Sequence, residues 1–184
     1  MKRKILKVIT FCAFLFCGMS ASPQTPIYLD KSQPIEQRIE DALSRMTLQE
    51  KINIIHAQSK FSAPGVPRLG IPELWCTDGP MGVRPEVMWD EWDQAAWTND
   101  SCMAFPALSC LAATWNPRMA SLYGKSIGEE ARFRNKSVLL GPGINVYRTP
   151  LCGRNFEYMG EDPYLISHMV VPYVQGVQSN GVSA

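Results

Sequence analysis

Two stretches of this sequence carry residues that could hold a polyhydroxylated ligand. In the first, Asp78 follows the short apolar segment ELWCT and opens DGPMGVR. A carboxylate placed there can accept hydrogen bonds from two neighbouring hydroxyl groups. The adjacent glycines allow close approach of the backbone, and Pro80 stiffens the turn. Because Asp-Gly is also a common turn pair, a purely structural role for Asp78 stays open at this point.

A second polar cluster lies in LLGPGINVYRTPLCGRNFEYMGEDP. Arginine supplies a rigid fork of donors, carboxylates supply acceptors, and aromatic rings can stack on the face of a sugar. The alternative is a loop held by salt bridges, in which Asp162 caps a helix and Glu161 is structural. The charged members of the cluster are Arg148, Arg154, Glu157, Glu161 and Asp162.

Composition and motif content exclude several other classes of protein. The 184 residues include 18 Lys and Arg against 17 Asp and Glu, and the formal charge of +1 gives no basic face for nucleic acid. Phosphate-binding, zinc-protease and serine-hydrolase motifs do not occur. With no C-x-x-C pair and only His56 and His168, the sequence gives little support for a Cys/His metal site. Three tryptophans could line a carbohydrate platform or pack under a loop: Trp89, Trp92 and Trp97.

The first 22 residues are typical of a secretory signal peptide. Basic residues precede an apolar run at 8–19, and small residues follow at 20–22. The run is shorter than the roughly 20 apolar residues that a membrane-spanning helix needs, although a short membrane anchor is the alternative. We therefore expect export to the periplasm or beyond the cell, with no stable membrane insertion after cleavage. Disulfide pairing in that compartment stays open for four cysteines: Cys76, Cys102, Cys110 and Cys152.

The elements that must position the two polar stretches begin after a leader at 23–33. Apolar residues from Pro34 onward recur every three or four positions and predict a helix. Thr47 and Glu50 form a capping box that opens a second helix. Two further helices are predicted to begin at Asn116-Pro117 and at Asp162-Pro163. On the first of these, the residues expected to face inward are Met119, Leu122, Tyr123 and Ile127.

Two short apolar segments, ELWCT at 73–77 and SVLL at 137–140, are predicted strands, while 61–72 is predicted to be a loop. Strands that alternate with helices indicate the α/β class with parallel strands. Ligand groups collect at the carboxyl ends of such strands, and both polar stretches follow a predicted strand. Because two or three strands cannot close a barrel, the sequence looks like the opening portion of a larger domain.

These stretches resemble glycoside hydrolase family 3, the β-glucosidase-type enzymes. The resemblance covers 34–184, and it is carried by TDGPMGVR, FPALSCLAATWNPRMASLYGKSIGEEAR, VLLGPGINVYRTPLCGRNFEYMGEDPYL and VQGVQSNGVSA. It implies that this region is the first part of a (β/α)8 (TIM-type) barrel, incomplete in this chain. It implies no metal or organic cofactor.

The resemblance also implies roles for particular residues. Asp78 and Arg154 match family residues that bind hydroxyls of the terminal, non-reducing sugar. Arg148 and Glu157 match other motif positions, where they either touch the sugar or brace the loop. The family hydrolyses glycosides with retention, through a covalent intermediate on an Asp and with a separate acid/base. In the family both carboxylates, and a sugar-binding Lys-His pair, come after the segment that matches this chain, so no catalytic residue is assigned within it.

The expected function is that of an exported β-glucosidase-like hydrolase, whose partner is an oligosaccharide or β-glucoside with terminal non-reducing β-linked glucose. This chain is expected to carry part of the sugar-binding subsite. The alternatives are a β-xylosidase or β-N-acetylglucosaminidase of the same family, and a non-catalytic carbohydrate-binding remnant. Since such a barrel typically takes about 250 residues, the chain by itself is expected to be inactive and poorly stable.

Overall fold

The structure is a computed structural model that describes residues 25–84 and 101–184. The signal-peptide prediction at 1–22 and the tryptophan-platform prediction at 89–97 lie outside the described residues. The chain divides into two compact units, Met1–Met46 and Thr47–Ala184. Nowhere in the described ranges is there a helix with the length and apolar character to cross a bilayer.

In the first unit, a 3₁₀ turn (Ile27–Leu29) precedes helix α1 (Ile35–Arg45). The Tyr28 N–H donates to Asp41 Oδ2 at 3.0 Å, and Arg38 Nε donates to the Tyr28 carbonyl at 3.1 Å. The turn is therefore fastened to α1 by two polar contacts. The helix predicted from Pro34 onward is confirmed.

The second unit opens with the predicted capping box, which begins helix α2 (Leu48–Ile54). Thr47 Oγ1 accepts from the Glu50 N–H at 3.2 Å, and Glu50 Oε2 accepts from the Thr47 N–H at 2.8 Å. Arg68 donates to both Glu50 oxygens, at 3.0 and 2.8 Å. The Arg68 hydrogen bonds, followed by that from the Thr47 backbone, lower the pKa of Glu50 to about 2. Glu50 thus ties the start of α2 to the following loop.

The main sheet has the order β1 (Ser62–Ala63), β2 (Leu74–Asp78) and β3 (Val138–Leu140). Strands β2 and β3 are parallel, with Asp78 opposite Leu140, which confirms the α/β prediction. Strand β1 runs antiparallel to β2 inside the segment predicted as a loop. This pairing satisfies backbone groups that a loop would leave to solvent.

Three helices pack around this sheet: α3 (Leu108–Ala113), α4 (Pro117–Phe133) and α5 (Pro163–Gln178). Helix α3 was not predicted. Both predicted N-caps are confirmed, because Asn116 Oδ1 and Asp162 Oδ1 accept from backbone N–H groups at 3.0 and 2.9 Å. Capping by Asp162 was the structural alternative considered for that residue.

Helices α4 and α5 cross closely at Gly124. A Cβ atom at Gly124 would lie 2.0 Å from the Tyr173 carbonyl oxygen, so no side chain fits there. The prediction that Met119 and Leu122 face inward is wrong, since they are 43% and 56% exposed. The close crossing selects small residues for the buried stripe. The largest fully buried side chains are Leu108, Ile127, Leu139, Met169, Tyr173, Val66, Val177 and Val182.

A second, two-stranded parallel sheet pairs β4 (Gly143–Val146) with β5 (Tyr158–Gly160). Neither strand was predicted. The two strands bracket the loop at 147–157, which carries Arg148, Arg154 and Glu157 of the second polar cluster. The Tyr147 hydroxyl donates to the Tyr158 carbonyl at 2.8 Å and thereby closes the base of this loop.

Candidate functional site

A cavity of about 760 Å³ lies at the carboxyl ends of β2 and β3. Its walls are the turn at 78–84, the segment at 102–104, the segment that follows β3, and residues between 154 and 158, where the loop at 147–157 (the cluster loop) meets β5. Asp78 and Arg154 therefore line one hollow, from two separate segments of the chain. In the described part of the chain, the charged residues of the lining are Asp78, Arg84, Arg154 and Glu157.

Asp78 occupies the last position of β2, so the strand itself delivers its carboxylate to the cavity. Arg84 Nη1 lies 3.2 Å from Asp78 Oδ2. The Asp78 side chain is 48% exposed and that of Arg84 only 22%. The Arg84 guanidinium also lies over the Phe61 ring, 5.3 Å from its centroid. An ionised carboxylate has about four acceptor positions, so Asp78 retains capacity for hydroxyl donors beside Arg84.

Backbone hydrogen bonds close the turn that follows Asp78 and join it to the segment at Phe105. The Arg84 N–H donates to the Asp78 carbonyl at 3.2 Å, and the Phe105 N–H donates to the Met81 carbonyl at 2.8 Å. A Cβ atom at Gly141 would lie 2.7 Å from the Gly79 carbonyl oxygen. The tips of β2 and β3 are thus too close for a side chain between them, and the cavity opens outward from this contact.

Two buried tyrosines lie behind the turn. The hydroxyls of Tyr123 and Tyr173 donate to the Pro80 carbonyl at 3.3 and 3.2 Å, and Tyr123 also reaches the Pro106 carbonyl at 2.8 Å. Burial is the main cause that raises the pKa of both phenols well above the usual range. Both hydroxyls therefore remain protonated donors at neutral pH.

Arg154 and Glu157 form an ion pair on the opposite wall, in which Arg154 Nε donates to Glu157 Oε1. The Arg154 side chain is 74% exposed, whereas that of Glu157 is 13% exposed. The hydrogen bond to Glu157 is the main cause that raises the pKa of the Arg154 guanidinium. Glu157 thus anchors the inner side of Arg154, and the rest of the planar guanidinium can donate to a ligand.

Arg148 does not line the Asp78 cavity. It lines a second cavity of about 610 Å³, with β4 residues, Thr149 and Asn155. Tyr158 contributes to both cavity walls. The loop at 147–157 turns sharply enough that its two arginines reach different hollows. Both arginines were assigned to one polar cluster from the sequence, because their spacing along the chain does not reveal this turn.

One charged residue of the cavity lining, Arg84, was not predicted as a site residue, although its position as a basic residue at the end of the Asp78 turn was an available signal. The remaining predictions have the following outcomes. Glu161 lines neither cavity. Over the described ranges, no group of three or more His, Cys, Asp or Glu side chains could hold a metal ion. Disulfide pairing was left open for the cysteines. Three of them form no disulfide and carry free thiols: Cys76, Cys110 and Cys152.

Comparison with known proteins identifies relatives of this chain. The family described as glycosyl hydrolase family 3 N-terminal domain matches residues 49–184. A β-glucosidase of Bacteroides ovatus is 69% identical over 161 residues, covering 88% of this chain. A thermostable β-glucosidase B of Acetivibrio thermocellus is 43% identical over 148 residues, covering 79% of this chain.

Solved structures match at the level of the fold. β-Glucosidase 3B from Thermotoga neapolitana, in complex with α-D-glucose, is 36% identical over 79% of this chain, with a TM-score of 0.68. These neighbours confirm the expected fold class, the first part of a (β/α)8 barrel. The chain spans 22% of the Bacteroides relative, 19% of the Acetivibrio relative and 22% of the Thermotoga chain.

Proposed function

We propose that this chain, which belongs to glycoside hydrolase family 3, supplies part of the glucose-binding subsite of an exported β-glucosidase. One observation carries the proposal: Asp78 and Arg154 line the same cavity at the carboxyl ends of parallel strands. In folds of this kind that edge is where substrates bind. The names of the relatives, β-glucosidases, support glucose as the sugar.

The chemistry of the cavity suits one hexose. Its volume of about 760 Å³ falls within the roughly 300–1,000 Å³ usual for small-molecule sites. The Asp78 carboxylate would accept from sugar hydroxyls, and the Arg154 guanidinium would donate to hydroxyl oxygens. Phe156 and Tyr158, also in the lining, offer aromatic faces for the apolar side of the ring.

The proposed reaction is retaining hydrolysis of a terminal, non-reducing β-linked glucose. In this proposal the nucleophile and the acid/base lie outside these 184 residues. The role of Asp78 and Arg154 is to hold the sugar through hydroxyl contacts that strengthen as the ring distorts toward the transition state. Their loss is therefore expected to lower kcat/KM rather than abolish the chemistry.

Activity should be tested on the complete gene product, after the DNA beyond codon 184 has been read for an in-frame continuation with a Lys-His pair and a later Asp. Hydrolysis of an aryl β-glucoside should exceed that of the matching β-xyloside and β-N-acetylglucosaminide. The 184-residue chain alone should be inactive in the same assay. A preference for either of the other two glycosides would contradict glucose as the natural sugar. Turnover by the 184-residue chain would contradict the proposal that the catalytic carboxylates lie outside it.

Binding by the chain alone distinguishes an enzyme part from a carbohydrate-binding remnant. Titration calorimetry with glucose reports whether Asp78 and Arg154 form a usable half-site without the rest of the protein. A stop codon after residue 184 together with measurable heat would favour the remnant. No heat at millimolar glucose would exclude it.

Export is the last part of the proposal, and it depends on the signal-peptide pattern at 1–22. Mass spectrometry of the protein recovered from the periplasm or the medium should show a chain that begins near residue 23. A cytoplasmic protein that retains Met1 would contradict export.

A further inference from the structure

Within the described residues, the hydrogen bonds to the Pro80 carbonyl come from side chains. Pro80 lies two residues after Asp78, within the turn that forms one wall of the cavity. Among the backbone hydrogen bonds of the described residues, none reaches this carbonyl. The two donors are the hydroxyls of Tyr123 and Tyr173, at 3.3 and 3.2 Å. Each hydroxyl has one proton, so Tyr123 shares its proton between the Pro106 carbonyl at 2.8 Å and the Pro80 carbonyl, whereas the Tyr173 hydroxyl donates to Pro80.

Both tyrosines are fixed by the core of the protein. Tyr173 is fully buried and Tyr123 is 7% exposed, and their rings lie 5.4 Å apart between centroids. Phe105 packs against Tyr123 at 5.0 Å. The close crossing at Gly124 brings the Tyr173 backbone against α4. The hydroxyls thus project from a rigid helix pair toward the turn.

We infer that Tyr123 and Tyr173 are positioning residues for Asp78: they hold the Pro80 carbonyl and thereby fix the turn from which the Asp78 carboxylate enters the cavity. The inference rests on the proposed role of Asp78 in sugar binding. Phenylalanine would fill the same space in the core, so packing alone does not require the hydroxyls. Their distances are long for O–H···O bonds, and the expected effect of losing one is moderate.

Tyr173→Phe is the decisive variant, because the Tyr173 hydroxyl donates to the Pro80 carbonyl, whereas that of Tyr123 also donates to the Pro106 carbonyl. Ile127→Val is the matched control. Ile127 lies fully buried on α4 in the same core, and its change removes one methylene without touching a hydroxyl. Each variant is made in the full chain.

The first measurement needs no sugar. Amide hydrogen exchange at Arg84 and Phe105 reports on the turn, because these N–H groups donate to its carbonyls. Tyr173→Phe should raise exchange at these two amides several-fold more than at the Leu139 amide in the core. Ile127→Val should change all three amides alike. Equal exchange patterns in the two variants would overturn the inference.

The second measurement is the affinity for glucose by titration calorimetry. Tyr173→Phe should weaken binding about three- to ten-fold, as expected for one net hydrogen bond, while Ile127→Val changes it less than two-fold. In an Asp78→Asn background, Tyr173→Phe should cause little further loss, since it acts through Asp78. An unchanged affinity in Tyr173→Phe would overturn the inference even if exchange rises.

Failure of the proposed function gives a different result. If the unmodified chain binds no glucose, the affinities are measured on the complete gene product. Failure of that protein to bind glucose would refute the proposed function, while the exchange measurement still decides whether the tyrosines hold the turn. If Tyr173→Phe does not fold, Tyr123→Phe replaces it. Only the Arg84 amide is then compared with the Leu139 amide, because loss of the Tyr123 hydroxyl also frees the Pro106 carbonyl next to Phe105.

Discussion

The two ends of the parallel pair β2–β3 differ in chemistry although the same strands form both. At the carboxyl end, Asp78 is half exposed beside a cavity that holds charges of both signs. At the amino end, the Lys136 residue is only 7% exposed, and its ammonium lies 4.8 Å from the centroid of the Trp75 ring. The Ser137 N–H donates to the Trp75 carbonyl at 2.7 Å and closes this end.

This difference assigns ligand binding to the carboxyl end of the strand pair and stability to its amino end. Burial is the main cause that lowers the pKa of Lys136. The charges at the other end keep access to the cavity and can contact a ligand. In barrel folds, residues at the carboxyl ends serve function and those at the amino ends serve stability. The predictions below test whether that separation holds here.

The largest effect is expected for Asp78→Ala. Hydrogen bonds to a charged group contribute about 1.5–3 kcal/mol, so glucose affinity should fall by about 10- to 150-fold. The free energy of unfolding should change by less than about 1 kcal/mol, because the pair with Arg84 is partly exposed. Calorimetry and urea unfolding measure the two quantities. A large loss of stability with unchanged affinity would assign Asp78 to the turn instead.

The two arginines of the cluster loop should behave differently. Arg154→Ala should weaken glucose binding by about ten-fold or more, since Arg154 lines the Asp78 cavity. Arg148→Ala serves as its matched control and should change affinity less than two-fold, because Arg148 lines the other cavity. Equal losses in the two variants would show that the sugar extends into both hollows.

At the closed end, Lys136→Ala should lower the free energy of unfolding by about 1–2 kcal/mol, because it removes both the cation–π contact with Trp75 and the packing of the lysine stem. Glucose affinity should stay within two-fold. Urea unfolding with calorimetry checks both values. A loss of affinity comparable to that of Asp78→Ala would break the separation between the two ends.

The smallest effect concerns acid stability, away from both ends. The pKa of Glu50 is lowered from 4.5 to about 2 in the folded chain. A depressed carboxyl pKa stabilises the folded state above the unfolded pKa, and this contribution is lost as the pH falls from about 4.5 towards 2. Glu50→Gln should therefore unfold with a weaker pH dependence across this window. Parallel pH dependence in both proteins would show that Glu50 gives no such stabilisation.

The sequence predicted features that depend on local chemistry. The caps at Thr47 and Asn116 require only neighbouring backbone groups, and the strand before Asp78 follows from a short apolar run. The edge shared by Asp78 and Arg154 followed from the rule for parallel strands. The sugar-binding roles of these two residues came from the family resemblance and stay predictions.

Features that depend on distant contacts were missed. Strands β4 and β5 are four and three residues long and exist through each other's pairing across the cluster loop. The buried stripe of α4 runs through Gly124, because close packing against α5 selects small residues over the more apolar Met119 and Leu122. The hydrogen bond from Tyr173 to Pro80 joins residues 93 positions apart. No local pattern encodes such contacts.

Calorimetric titration of glucose into four forms of the complete gene product tests the central claim most directly: the unmodified protein, Asp78→Ala, Arg154→Ala and the double variant. If both residues hold one sugar, each single change weakens binding, and the double change weakens it by less than the product of the two losses. Binding that is unaffected by either change, or losses that multiply as for independent sites, would contradict a shared glucose subsite.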